Sequence, residues 1–349
     1  MPESAQKFLI IRLSSIGDIV HALPAVSALG RALPGAEIHW VVESRHAPLL
    51  DGNRYVHRVI SLDTLLWRKK LASGATLATI WRTIGDLRRE RYDAAIDFQG
   101  LYKSALIGWL TGAQERIGFV EARLREPAAG VFYSKRVSAP GREHVVDLNF
   151  ALLEPWGVPN TSRADWEFPL PRNRDDDEFV SQALAERGIK DFIIINSGGG
   201  WQSKCWPPEN YADLIRLCSS EFGGDFLLTG SHAEEPLIER IVQESEISRA
   251  RYFPSTLTQF ISLARRARLL VGGDTGPLHV AAALRTPVVA IFGPTSPARN
   301  GPFSLQDITL WNMGSIDYTR RAVAAGYIQG ISVEAVAAAV RRRLESAHG

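Results

Sequence analysis

Short apolar and β-branched runs alternate with stretches of helical periodicity along nearly the whole chain. Runs at residues 8–12, 37–42, 94–97, 192–196, 225–228, 269–271 and 288–292 have the length and composition of buried strands. Helical patterns lie between them, for example at 19–32, 210–221 and 277–284. This rhythm predicts an α/β fold of βαβ units, with helices covering both faces of parallel sheets. A polar, proline-bearing stretch at 158–175 interrupts it, and Asn160-Thr161-Ser162 and Pro169-Leu170-Pro171 read as a linker. A second set of units starts at Phe192. Two doubly wound, Rossmann-like domains facing a central cleft are therefore expected, 1–170 and 171–349. Ligands of such sheets bind at the carboxyl ends of the strands.

Composition narrows this picture only a little. The 349 residues fit about two domains, and 45% hydrophobic content is ordinary for a globular chain. A net charge of +2 argues against a nucleic-acid binder that works by bulk charge. Cys205 and Cys218 form neither a metal spacing nor a CxxC pair, which fits a reducing compartment. The start runs quickly into Phe8-Leu9-Ile10-Ile11, broken by Arg12, and reads as a strand, not a signal peptide. With no apolar run near the roughly 20 residues of a spanning helix, a cytoplasmic protein is expected.

The densest chemistry lies in Gly272-Gly273-Asp274-Thr275-Gly276-Pro277-Leu278-His279. An apolar strand stops at two glycines, and Pro277 opens an alanine-rich helix, where its missing N–H costs nothing. Such a turn aims backbone donors and the positive end of a helix dipole at an anion, usually phosphate. Its plainer reading is an N-cap by Asp274 or Thr275. After the first strand, Arg12-Leu13-Ser14-Ser15-Ile16-Gly17-Asp18 leads into a helix. Asp18 there either caps that helix or takes a proton from a substrate hydroxyl. Asn196-Ser197-Gly198-Gly199-Gly200-Trp201-Gln202-Ser203-Lys204 offers glycines that let backbone close on phosphate, and a lysine as countercharge. It matches neither a Walker A loop nor GxGxxG, which weakens a nicotinamide reading. In Thr229-Gly230-Ser231-His232-Ala233-Glu234-Glu235 a carboxylate after a strand can bind ribose hydroxyls or simply favour a helix start. Asp175-Asp176-Asp177-Glu178 opens a helical pattern, so its acids are read as first-turn residues and no metal is assigned.

With these residues assembled, the chain resembles glycosyltransferase family 9, the bacterial ADP-heptose lipopolysaccharide heptosyltransferases, over nearly its whole length. The likeness is strongest to the branch that adds the first heptose to the Kdo sugars of lipid A. It is carried by Ser14-Ser15-Ile16-Gly17-Asp18, by Asp274-Thr275-Gly276-Pro277-Leu278-His279, and by Lys204-Cys205-Trp206-Pro207 and Phe292-Gly293-Pro294-Thr295. The resemblance implies a GT-B fold, with acceptor bound by the first domain, ADP-heptose by the second, and a last helix that can return to the first. It implies Asp18 as catalytic base, and Gly199, Gly200, Lys204, Glu234, Asp274, Thr275, Gly276 and His279 around the donor. Two departures stand out. Gly199 and Gly200 replace hydroxyl residues of that branch, and Arg12 replaces a frequent lysine, keeping charge but not geometry.

On the acceptor side, Arg68, Lys69, Lys70, Lys103 and Arg125 resemble the family's basic residues, and Kdo carboxylates and lipid A phosphates need such partners. Trp67 beside three cations would also suit an anionic membrane surface, with the enzyme peripheral on the cytoplasmic face. A solvated charge run is the plainer reading. The implied chemistry is an inverting displacement with ADP-heptose as substrate and no cofactor, metal or nucleic acid. Competing readings are a second-heptose or other family 9 transferase, a nucleotide-sugar epimerase or dehydrogenase, and a non-catalytic sugar-nucleotide binder.

Overall fold

A computed structural model describes residues 6–70, 73–200, 204–312 and 328–346. Trp201, Gln202 and Ser203 of the glycine loop lie outside the described residues. The chain divides into two compact units, Met1–Pro169 and Leu170–Gly349.

The first unit runs β1 (Lys7–Ile11), α1 (Ile16–Ala32), β2 (Glu37–Glu43), β3 (Arg58–Leu62), α2 (Thr64–Lys69), α3 (Gly74–Arg89), β4 (Ala94–Asp97), α4 (Tyr102–Leu110), β5 (Glu115–Phe119), β6 (Lys135–Val137) and α5 (Val145–Ala151). Its strands are all parallel, in the order β3-β2-β1-β4-β5-β6. The second unit runs α6 (Arg174–Glu186), β7 (Phe192–Asn196), α7 (Pro208–Ser219), β8 (Asp225–Leu228), α8 (Glu235–Ser245), β9 (Ala250–Tyr252), α9 (Leu257–Ala264), β10 (Leu269–Gly273), α10 (Gly276–Ala283), β11 (Val288–Phe292), α11 (Pro297–Asn300), β12 (Ile308–Trp311) and α12 (Val333–Glu345). Its parallel order, β12-β11-β10-β7-β8-β9, is the same arrangement repeated. Two doubly wound sheets of this kind are the GT-B architecture.

Register fixes where ligands can sit. Ile11 pairs with Asp97, so the loops after β1 and β4 open side by side where the strand order reverses. Asn196 likewise pairs with Gly272, which brings together the loops after β7 and β10. Such switch points are the binding positions of doubly wound sheets. The central strands owe their place to apolar runs such as Phe8-Leu9-Ile10-Ile11 and Phe192-Ile193-Ile194-Ile195, buried on both faces.

Three expectations need correction. The strands β3, β5, β6, β9 and β12 were not expected; four of them are sheet edges, and their half-exposed residues carry no continuous apolar run. The stretch at 158–175 is not a loose linker, because Trp166 is buried against His144 and Glu167 is held by Arg31, Arg54 and the Tyr55 hydroxyl. The last helix, for which the resemblance allowed a return to the first domain, is built into the core of the second. There α12 packs on α7 and β11, Trp206 donates to the Ile331 carbonyl at 2.9 Å, and buried Arg343 pairs with Asp307 at 3.2 Å. Among the described residues no helix is long and apolar enough to cross a membrane.

Candidate functional site

In the second unit, glycines let three strand ends converge. A Cβ on Gly272 would lie 2.9 Å from the Asn196 carbonyl oxygen, and one on Gly273 would lie 3.1 Å from that of Lys204. The bare backbone of β10 thus admits the loop after β7, which delivers Lys204 to Asp274. Lys204 Nζ stands 2.6 Å from Asp274 Oδ2 and 3.4 Å from the Asp274 carbonyl oxygen. Thr295, in the loop after β11, donates to the same Oδ2 at 2.7 Å. His279 Nε2, in the first turn of α10, lies 2.9 Å from Oδ1. The Asp274 side chain is only 4% exposed. Burial pushes its carboxyl upward, but the His279 hydrogen bond and the Lys204 charge prevail and hold it far below the usual carboxylate range. A buried anion is tolerated here because every oxygen is bonded and a cation is adjacent.

Thr275 occupies the N-cap position of α10, yet its side chain makes no capping bond. Its hydroxyl instead donates to Asn196 Oδ1 at 2.9 Å, while Asn196 Nδ2 donates to the Thr229 carbonyl at 3.1 Å. The first-turn N–H groups are therefore not taken by the cap side chain, and the helix keeps its capacity for an anion. Glu234 both caps and faces the loop. Its Oε2 accepts from Ser231 N and Oγ, each at 2.7 Å, while Oε1 stands 1.8 Å from where a Cβ on Gly198 would be. Packing therefore demands a glycine at Gly198, whereas a Cβ on Gly200 would meet nothing within 4 Å.

In the first unit, Asp18 sits in the first turn of α1, where Ser15 N and Oγ donate to its Oδ2 at 2.9 Å each. Arg12, buried and also donating to the Phe98 carbonyl, pairs with Oδ1. The capping reading is thus real, but the Asp18 side chain stays 40% exposed at the strand end. Gln99 Oε1 accepts from Leu13 N at 2.7 Å and Ser14 N at 3.3 Å, so the loop after β4 fixes the loop after β1. Beneath them Asp97 is fully buried and accepts from Gln99 N, Gly100 N, Ser104 Oγ and the Tyr133 hydroxyl at 2.7–3.0 Å. Burial raises its carboxyl despite those bonds. The Tyr133 ring reaches it by lying over Gly118, where a Cβ would come within 2.3 Å of the ring.

The basic acceptor candidates are divided. Lys103 Nζ lies 3.3 Å from Thr64 Oγ1 and 3.5 Å from Glu43 Oε1, a buried carboxylate also bonded by Thr64. Glu126 Oε2 accepts from Tyr102 N at 2.7 Å, which draws the turn bearing exposed Arg125 to the start of α4 beside Lys103. Arg68, Lys69 and Lys70 are exposed at the end of α2. Trp67 does not join them at the surface. It is half-buried and packs against the core around Leu9, Leu62 and Leu87, contrary to the expectation of an interfacial tryptophan.

Sequence reasoning missed Asn196 and Gln99 as loop anchors, Thr295 as a partner of Asp274, and Glu43 with Thr64 beside Lys103. In the sequence, Thr295 is marked only as part of the family-like run Phe292-Gly293-Pro294-Thr295, and Asn196 only as the start of the glycine loop. The acids at 175–178 open α6, whose cap is Asn173. Among the described residues one further carboxylate–histidine group, Glu37, His39 and Glu90, lies at the opposite strand ends, where Lys7 Nζ bonds both carboxylates at 2.8–3.0 Å.

Two doubly wound units, with a positively polarised helix start and a lysine at one switch point and a carboxylate at the other, are the arrangement expected of a GT-B glycosyltransferase. Residues 80–323 match Glycosyltransferase family 9 (heptosyltransferase). Lipopolysaccharide heptosyltransferase 1 of Pseudomonas aeruginosa is 30% identical over 322 residues, spanning 87% of this chain and 83% of that protein. Its namesake from Escherichia coli K12 is 28% identical over 301 residues, 85% of this chain and 91% of the relative. The solved structure of E. coli heptosyltransferase WaaC with ADP superimposes with a TM-score of 0.79 at 25% identity, covering 97% of this chain and all of that one. A glycosyl transferase family 9 protein from Veillonella parvula shares the fold, with a TM-score of 0.84 at 21% identity over 99% of both chains. The chain belongs to glycosyltransferase family 9.

Proposed function

We propose that this glycosyltransferase moves a heptose from ADP-heptose to a Kdo hydroxyl of Kdo-lipid A, the first heptose transfer of lipopolysaccharide inner-core synthesis. The carrying observation is the set of Lys204, Asp274 and His279 at the start of α10, together with the family membership. Lys204 and the first-turn N–H groups of α10 neutralise the charge that develops on the ADP leaving group. The carboxylate of Asp274 is engaged by Lys204, Thr295 and His279, so its part is to hold Lys204 and His279 in place rather than to grip a sugar hydroxyl. Glu234 accepts ribose hydroxyl bonds, and Gly199, Gly200, Thr275 and Gly276 offer backbone to the pyrophosphate. Asp18 deprotonates the Kdo hydroxyl, which attacks the anomeric carbon as ADP leaves with inversion. Lys103 and Arg125, with Arg68, Lys69 and Lys70, bind the acceptor's carboxylates and phosphates. The acceptor's lipid places the enzyme at the cytoplasmic face of the membrane as a peripheral protein.

A donor and acceptor screen tests this. ADP-, GDP- and UDP-sugars are offered with Kdo-lipid A and with the same lipid already bearing one heptose, and products are weighed by mass spectrometry. A heptose added to Kdo-lipid A from the ADP donor alone is expected. Transfer only to the pre-heptosylated lipid would reassign the chain to the second heptose, and no transfer to either would sink the reading.

A further inference from the structure

Helix α3 is an amphipathic helix whose apolar arc is only partly covered. Of its sixteen residues, Leu87 alone is buried, with Ile80 and Ile84 half-buried on the same stripe. Leu77 and Trp81 carry the apolar arc past that stripe and stand 42% and 65% exposed. On the preceding α2, Leu65 and Leu66 are also exposed. Cations surround these side chains. Arg88 shares the stripe of Leu77 and Trp81, and Arg82 and Arg89 occupy the next one. From residue 63 to 89 there are six cations (Arg68, Lys69, Lys70, Arg82, Arg88 and Arg89) against two carboxylates, Asp63 and Asp86. Arg89 pairs with Asp86 at 2.6 Å, so the excess on α3 rests on Arg82 and Arg88 and suits an anionic partner.

We infer that the outer face of α3, centred on Trp81 and Leu77, docks the first unit onto an anionic lipid bilayer. The inference rests on the proposed lipid acceptor for its purpose, but its physical argument is independent. Sixteen residues with three arginines are too short and too charged to span a membrane, and a helix of this pattern lies in the interface plane. Tryptophan is favoured there because its ring prefers the apolar side and its N–H the wet one. Arginines beside it meet lipid phosphates. An unbound protein partner would satisfy the apolar arc too, but the excess of six cations over two carboxylates favours a uniformly anionic surface.

The test is sedimentation of the full chain with vesicles, without any sugar nucleotide. Phosphatidylcholine vesicles are compared with vesicles that also contain phosphatidylglycerol. Wild type is expected to bind the anionic vesicles, and added salt weakens that binding. The double variant L77S/W81S loses about tenfold in partitioning, as does R82Q/R88Q, while both still bind ADP and transfer to a delipidated Kdo oligosaccharide at the wild-type rate. Equal binding of wild type and L77S/W81S, or no preference for anionic vesicles, overturns the inference. So does a wild-type dimer in solution that L77S/W81S converts to monomer, which would make the face a self-association surface. A failed donor screen leaves the vesicle result standing, so the two readings fail separately.

Discussion

Asp18 and Asp274 each follow a central parallel strand and each sit at the start of a helix, yet the two units place them in opposite settings. Asp274 is sealed among Lys204, His279 and Thr295, 4% exposed, with its carboxyl held far below the usual range. Asp18 keeps 40% of its side chain in solvent, with Arg12 and Ser15 orienting it from below and behind. A carboxylate so strongly bonded and so acidic is a poor base, and its value is electrostatic: it fixes a cation and an imidazole. A carboxylate left at the surface of a strand end can meet a substrate hydroxyl and accept its proton. One strand order therefore supports two uses of the same residue type, and burial decides between them.

The sharpest way to break this comparison is Asp18→Asn. Turnover is expected to fall by about 10²–10⁴, with affinities for ADP and acceptor nearly unchanged. Near-normal turnover would remove Asp18 as the base and leave it a helix cap. Next comes Lys204→Ala, which strands the buried Asp274 charge. Breaking such a pair costs about 3–5 kcal/mol, seen as a lower melting temperature, and ADP binding weakens alongside. Full stability with intact ADP affinity would show that the pair is not what organises the second site.

The smallest effect is expected from Thr295→Val, which removes one hydroxyl from Asp274 at a cost of about 1.5–3 kcal/mol. Serine at that position should restore most of the loss. Because Asp274 titrates below its unfolded value, the stability it contributes is full above about pH 4 and is lost as acid takes the pH lower. Wild type should therefore lose more stability than Asp274→Asn as the pH falls below about 4, read from urea unfolding midpoints. Equal acid sensitivity of the two would mean that Asp274 is not held ionised in the fold.

What the sequence made legible follows the same physics. Central strands stand out because burial on both faces demands unbroken apolar runs, and Asp18, Lys204, Asp274 and His279 stand out as polar residues at strand-to-helix turns. Thr295, Asn196 and Gln99 do not, since each matters through a contact with a loop that is distant in sequence, up to 86 residues for Gln99 and Leu13. The tryptophans show the limit most clearly. Trp67 sits among cations in the sequence and turns toward the core, whereas Trp81, which carried no signal in the sequence, faces outward from α3. Periodicity gives the direction of a side chain around its helix, but not whether anything stands opposite.

Gly118 carries a consequence for anyone altering this enzyme. The Tyr133 ring occupies the space beside a residue with no side chain, and that clearance lets its hydroxyl reach the sunken Asp97. A single added methyl would tilt the ring away and leave a sealed acid short of a donor, loosening the floor under the loop that Gln99 secures. The first unit could thus be softened from below, through one hydrogen-sized gap, while every group facing a substrate keeps its identity.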